Sequence, residues 1–285
     1  MEKEKELYNN LIPYLNCKDY TVSQNHFKIM KNEEYEMLVT YPIPENLENY
    51  YKSENYISHT DSKKSFFDKV YQSVKNHTLK QKLSLLNSFK TKTKTVLDIG
   101  AGTGDFLKVC KNNHWEVFGT EPSFDARNIA EKKGIHLMER IQEIKNQQFD
   151  VISLWHVLEH VEDLEETIKF LKRILKPKGR IIVAVPNYKS CDAEYYKEHW
   201  AAYDVPRHLW HFSQTSIHKL FSEIKMIVDT TLPMKFDAYY VSLLSEKYKS
   251  GKMKPAKAFY RGFISNLKAI KTSEYSSLIY VIKNY

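Results

Sequence analysis

The sequence predicts an α/β fold built on a doubly wound, largely parallel sheet, with an N-terminal extension and a helical insertion before the last strand. Three observations carry this. From about residue 94, short apolar runs alternate with amphipathic stretches, as in successive βα units. A glycine cluster, Asp98-Ile99-Gly100-Ala101-Gly102-Thr103-Gly104, stands between a strand pattern and a helix pattern. And 285 residues suffice for one core of catalytic size with appendages.

Taken in order, residues 1–60 read as a small extension with strand-like pieces at Phe27–Met30 and Glu36–Tyr41 and a turn at Tyr41-Pro42-Ile43-Pro44. Residues 61–93 are a helical lead-in, its helix running from Lys63 to about Phe89. The core spans 94–232, with strands expected at Lys94–Ile99, Trp115–Glu121, Ile135–Met138, Phe149–Leu154, Gly179–Val185 and Lys225–Leu232. Helices are expected at Asp105–Asn113, Ser123–Lys133, Leu164–Lys176 and Gln214–Ser222; the third shows an apolar face at Leu164, Ile168, Leu171, Ile174 and Leu175, ended by Lys176-Pro177-Lys178-Gly179. Residues 233–272 are too long for a loop and form a mostly helical cap, and 273–285 hold the last core strand, Ser276–Lys283.

Composition excludes several classes. With 42% hydrophobic and 27% charged residues the chain is ordinary for a soluble globular protein, not a disordered or low-complexity one. Cys17, Cys110 and Cys191 are far apart and odd in number, which offers neither a disulfide framework nor a complete zinc site. The charged start, Met1 to Leu7, is followed by no apolar run of signal or transmembrane length, so a cytoplasmic location is expected.

Three of the eight glycines fall within five residues, marking a backbone that a ligand must approach closely. A dinucleotide fingerprint would need glycine at Asp105, and a Walker loop would need Gly-Lys-Ser/Thr. What stands here is acid-x-Gly-x-Gly-x-Gly. The Asp98 carboxylate would repel a pyrophosphate and attract a ligand carrying an ammonium and a sulfonium, which favours S-adenosylmethionine. Glu121 closes the next strand, followed by Pro122, and is placed to accept both ribose hydroxyls.

At these residues the chain resembles the class I S-adenosylmethionine-dependent methyltransferases, over about residues 94–230. The resemblance rests on Val96-Leu97-Asp98-Ile99-Gly100-Ala101-Gly102-Thr103-Gly104, on Glu121, and on Phe149 to Val161 (FDVISLWHVLEHV), which is similar to the ubiquinone-type branch (methyltransferase domain family 23). Pro206 to Ser213 (PRHLWHFS) resembles a subgroup of bacterial methyltransferases. The family implies a Rossmann-like sheet of seven strands, the last antiparallel, and places Asp98, Gly100, Ala101, Gly102, Gly104, Glu121, Pro122, Trp155 and His156 around the cofactor. It also implies that ubiquinone-type enzymes can hold a divalent cation at the positions of Glu159, His160 and Asp163; helix capping by Asp163 explains the same residues, and no resident metal is expected.

Methyl transfer is an in-line displacement, so the protein chiefly aligns the acceptor and, for a hydroxyl, removes a proton. His156, directly after the fourth strand, is the first candidate for that site. The 27-residue connection Pro186–Phe212 supplies His199, Trp200, Tyr203, Asp204, His208, Trp210 and His211. His208 or His211 could be the base, or could with Arg207 tie the connection to the sheet.

Cys17 to Tyr41 resembles an N-terminal zinc-binding piece of related enzymes, but Met30 and Glu33 stand where a second Cys-x-x-Cys would be, which predicts a degenerate zinc-ribbon-like hairpin. Tyr50 to His59 could serve as a lid. The formal charge of +8 is local: residues 1–90 carry +1, 91–230 carry 0 and 231–285 carry +7. A basic aromatic cap suits an anionic or lipid-like small-molecule acceptor. No nucleic-acid recognition module and no transmembrane segment is expected. The expected activity is methyl transfer to a small molecule, most simply to oxygen; methylation of RNA or protein, and cofactor binding without turnover, are the alternatives.

Overall fold

The computed structural model describes residues 7–51, 66–144 and 147–285. Its main sheet contains β4 (Thr95–Ile99), β5 (Glu116–Thr120), β6 (Phe149–Trp155), β7 (Leu175–Pro186), β9 (Met226–Pro233) and β10 (Ser277–Asn284), in the order β5-β4-β6-β7-β10-β9. The first four are parallel, and β10 lies antiparallel between β7 and β9. β4 is buried at every position, as a central parallel strand covered on both faces must be.

Alternation along the strands sorts the core into two layers. Val96, Val151 and Ile182 face one side, packed on Leu86 of α1 (Phe66–Ser88), Phe106, Leu107 and Cys110 of α2 (Asp105–Asn112) and Ala130 of α3 (Phe124–Lys132). Leu97, Ile152, Ile181 and Val183 face the other, against Leu164, Ile168 and Leu171 of α4 (Leu164–Arg173) and Ile217, Leu220 and Phe221 of α6 (Gln214–Glu223).

The structure corrects two expectations and adds a strand. Among the described residues the main sheet has six strands, because Ile135–Met138 contributes only a parallel bridge, Thr120 to Met138. Met138 N–H donates to Gly119 O and Glu121 N–H to Met138 O, and pairing goes no further. The helix from Leu164 stops at Arg173, and β7 starts at Leu175, which pairs with Phe149 before an irregularity in register lets Arg180 pair with Val151. Finally, β1 (Ile12–Lys18) was not legible, since Pro13 and the polar interruption of IPYLNCK hide its period.

β1, β2 (His26–Asn32) and β3 (Met37–Tyr41) form an antiparallel sheet completed by β8 (Trp210–His211), which comes from the long connection after β7. This second sheet packs Cys17, Phe27, Ile29 and Leu38 on that connection, at Tyr188, Tyr196 of α5 (Cys191–Tyr196), Trp200, Tyr203 and Val205. Burial pushes the Cys17 thiol up to about 12, so it stays protonated in an apolar setting. Of the suggested lid, only Tyr50 and Tyr51 fall within the described residues.

Between β9 and β10 stand α7 (Asp237–Ser250) and α8 (Pro255–Thr272). They approach closely because α8 turns small residues inward, Ala258, Gly262, Ser265 and Ala269. A Cβ at Gly262 would lie 2.9 Å from Ala238 O.

Candidate active site

The carboxyl ends of β4, β5 and β6 lie side by side, and the cleft outside such ends is where open α/β sheets hold ligands. The β4–α2 turn sets Gly100, Gly102 and Gly104 at φ of +67°, +53° and +73°, a left-handed conformation that glycine adopts without strain. Their surroundings differ. A Cβ at Gly100 would come 2.5 Å from Val157 Cγ2 and one at Gly104 would press on Ala130 and Ile135, but at Gly102 nothing among the described residues lies within 4 Å. Gly102 is the open rung of the turn. Ala101 N–H donates to Thr120 O at 2.9 Å, stitching the turn to β5.

Glu121 faces that rung. Its Oε2 accepts the Gly102 N–H at 2.8 Å and its Oε1 accepts the Ser123 N–H at 2.9 Å. Two backbone donors thus orient the carboxylate and leave it two of about four lone-pair sites for a vicinal diol. Pro122, next in the chain, presents its carbonyl to Arg127 Nη1 at 2.7 Å.

Asp98 is buried at the end of β4, where Ser153 Oγ donates to its Oδ1 at 2.6 Å. Burial pushes its carboxyl up to about 7, against that hydrogen bond and the charge of Lys82. Lys82, from α1, holds its Nζ 4.0 Å above the Trp155 ring. Burial brings its ammonium down to about 8, opposed by Asp98 and Asp237. Trp155 packs edge-on to Phe106, and its buried indole N–H has no partner among the described residues.

His156 follows, at φ +58°. Its Nδ1 lies 3.3 Å from Glu159 Oε1 and its Nε2 3.1 Å from Asp237 Oδ2, the first residue of α7. Burial opposes the imidazolium, yet the two carboxylates outweigh it and hold the pKa up at about 10. At neutral pH His156 is a cation and a donor.

Behind it runs a second polar cluster. Glu159 is buried, and its carboxylate oxygens accept no well-aligned hydrogen bond from the described residues. One ligand atom each of Glu159, His160 and His208 lies within 4.8 Å of the others. Asp163, expected beside Glu159 and His160, is elsewhere: its Oδ1 accepts Glu166 N–H at 2.9 Å and caps α4. His208 takes its place. His160 Nδ1 lies 3.0 Å from Arg207 O and 3.1 Å from Tyr51 Oη, and burial beside His208 lowers its pKa to about 4. His208 Nδ1 lies 2.8 Å from Ala202 O.

His211 is turned away from the cleft. Thr40 Oγ1 donates to His208 O at 2.6 Å and lies 3.0 Å from His211 Nε2, which fixes the ring against β3, and burial lowers its pKa far below the usual value. Arg207 is likewise inside, its guanidinium on Asp204 at 2.5 and 2.9 Å and on Asp19 at 3.5 Å. Further bonds join the connection to the turn after β6: Leu209 N–H to Glu159 O and Trp210 Nε1–H to Val161 O. His199 sits beside Glu198 at the surface, with its Nδ1 3.4 Å from Glu198 Oε1.

The cleft therefore brings together Asp98, Gly100, Ala101, Gly102, Gly104, Glu121, Trp155 and His156, links His208 to them through Glu159, and leaves out His211. Sequence reasoning missed Lys82, Ser153 and Asp237. Only Asp237 left a signal, as one of three acids among ten basic residues in 231–285.

The fold is shared with known proteins. Residues 71–224 match the family model described as "Methyltransferase domain". An uncharacterised protein of Methanocaldococcus jannaschii is 33% identical over 105 residues, 36% of this chain and 49% of the relative. A ubiquinone biosynthesis O-methyltransferase of Coxiella burnetii is 30% identical over 105 residues, 34% of this chain and 45% of the relative. The matched region thus spans about half the length of these relatives. Among solved structures, magnesium protoporphyrin IX methyltransferase of Synechocystis PCC 6803 with bound SAH shares the fold at a TM-score of 0.56 and 14% identity, covering 83% of this chain and 97% of that one. Mycolic acid cyclopropane synthase with SAH and CTAB does so at 0.51 and 12%, covering 72% and 83%.

Proposed function

From the premise that this chain belongs to the class I S-adenosylmethionine-dependent methyltransferase family, we propose that it transfers a methyl group from that cofactor to a small-molecule acceptor, most simply to an oxygen. The observation that supports this best is the pairing of Gly102 with Glu121: an open, left-handed glycine whose N–H is held by a carboxylate with capacity to spare. Such a pair suits a nucleoside: Glu121 would hold the ribose hydroxyls, and Gly102, Asp98 and Trp155 would hold the rest of the cofactor. The partnerless Trp155 indole N–H supports a polar ligand on that path.

The cofactor supplies a methyl activated by its sulfonium, and this chain's residues do the rest. Asp98 and Glu121 bind by charge and hydrogen bonds. Trp155, Phe106 and the stem of Lys82 wall the reactive end from water. His156, cationic and with both ring N–H groups on Glu159 and Asp237, would orient the Asp237 carboxylate toward an oxygen acceptor. As the O–C bond forms and the S–C bond breaks, the acceptor's proton would pass to the Asp237 carboxylate, which is partly open to solvent. His208 contributes through Glu159, and His211 is structural in this reading.

Incubation with methyl-labelled cofactor followed by separation of small-molecule, lipid, RNA and protein fractions tests the proposal. Label in the small-molecule or lipid fraction is expected. Label confined to RNA or protein would overturn the substrate class, and absence of S-adenosylhomocysteine binding in calorimetry would overturn the whole reading.

A further inference from the structure

α8 is built in three faces. At about 100° per residue, Ala258, Gly262, Ser265 and Ala269 share the face packed inward, and all four are small. On another face stand Phe259, Tyr260, Phe263, Leu267 and Ile270, exposed by 64, 57, 44, 44 and 67%. Lys257, Lys268 and Lys271 line one border of that apolar stripe, and Lys252 and Lys254 precede the helix with Met253 between them. Five large apolar side chains on one exposed helical face form a continuous patch rather than scattered residues.

Charge decides what can cover it. Residues 231–285 hold ten basic and three acidic residues. Two of the acids are drawn inward: Asp237 onto His156, and Glu246, wholly buried, onto Lys257 at 3.0 Å and Tyr196 Oη at 3.2 Å. The outward surface is therefore almost uniformly positive. A second copy of the chain would bring like charges together, whereas an anionic lipid surface complements them while its acyl region takes the aromatic and aliphatic stripe.

We propose that α8 lies in the plane of an anionic phospholipid bilayer, with Phe259, Phe263, Leu267 and Ile270 entering the headgroup boundary and Lys252, Lys254, Lys268 and Lys271 meeting lipid phosphates. The helix is also close in the fold to the cleft. Asn266 Nδ2 donates to Lys235 O at 2.9 Å, two residues before the Asp237 that holds His156. Docking by α8 would bring the segment that carries Asp237 toward the bilayer. The inference stands apart from methyl transfer, since it uses no cleft residue.

Sedimentation of the full chain with vesicles tests it. Binding is expected to vesicles of phosphatidylcholine mixed with phosphatidylglycerol, not to phosphatidylcholine alone, and to weaken as salt rises. Phe263→Ser with Ile270→Ser, at exposed positions that leave the fold's melting temperature in place, should weaken binding more than about tenfold. Replacing Lys252, Lys254, Lys268 and Lys271 by Gln should do the same. Failure of the wild-type chain to bind the mixed vesicles, equal binding to neutral ones, or unchanged binding by both variants would overturn the proposal. So would a dimer in sedimentation velocity that the Phe263→Ser, Ile270→Ser variant abolishes, which would give the face to a second copy.

Discussion

His156 Nε2 lies 3.1 Å from Asp237 Oδ2, so the helical insertion before the last strand is tied directly to the end of the sixth strand. His156 takes its charge state in part from a residue 81 positions away in sequence.

That pair has a definite pH signature. The folded pKa of His156, about 10, lies above its ordinary 6.5, so its stabilising contribution is complete below about pH 6.5 and fades as pH rises toward 10. Asp237→Asn should lower the melting temperature most at pH 6, with wild type and variant converging near pH 10. Because the ring is about one-third open to solvent, the loss should be modest, about 1 kcal/mol. Side-chain NMR of the histidines should show His156 still protonated at pH 8 in the wild type and not in the variant.

Gly100 and Gly102 should respond differently to the same substitution. Gly102→Ala keeps space for its methyl and meets only the cost of a left-handed backbone, roughly 1 kcal/mol. It should fold, yet bind S-adenosylhomocysteine at least about tenfold more weakly because the methyl occupies the ligand's approach. Gly100→Ala adds a clash with Val157 and should lose stability as well as binding, as calorimetry and thermal melting would show.

Glu121→Ala removes the acceptor of the Gly102 and Ser123 amides and of the expected ribose hydroxyls. Affinity for the cofactor product should fall by roughly tenfold to a hundredfold, equivalent to one or two charge-assisted hydrogen bonds, with little change in melting temperature. Calorimetric titration reads this directly.

Arg207 should act on stability alone. Burial works against the Asp204 charge, but the guanidinium outweighs it and holds the carboxyl below its usual range. Arg207→Met would strand Asp204 and the buried Asp19 without their cation, at a cost of about 3–5 kcal/mol. Denaturant unfolding should show that loss, while the folded fraction keeps its cofactor affinity.

The half of the cleft proposed for the cofactor is legible in sequence because it is local. Asp98, the three glycines and Glu121 lie at strand ends where the chain must turn, and each position restricts which residue can stand there. The acceptor half was not, because its geometry is made by contacts between distant segments. His208 and His211 look alike in sequence, three residues apart, but pairing of β8 with β3 sends His211 to Thr40 and leaves His208 beside Glu159. Asp163 looked like a partner of Glu159 and His160, but the start of α4 claims its carboxylate.

By itself the sequence determined the doubly wound sheet, the glycine turn and its acid, and the position of the excess charge, since periodicity and turn chemistry act over a few residues. Tertiary structure decided which histidine is charged, which is buried and which stands by the cleft, because ionisation depends on burial and on charges that only folding brings near. It also decided that α8 turns its small residues inward. Close packing on α7 admits only Ala, Gly and Ser there, and so leaves the aromatic stripe and the lysines facing out.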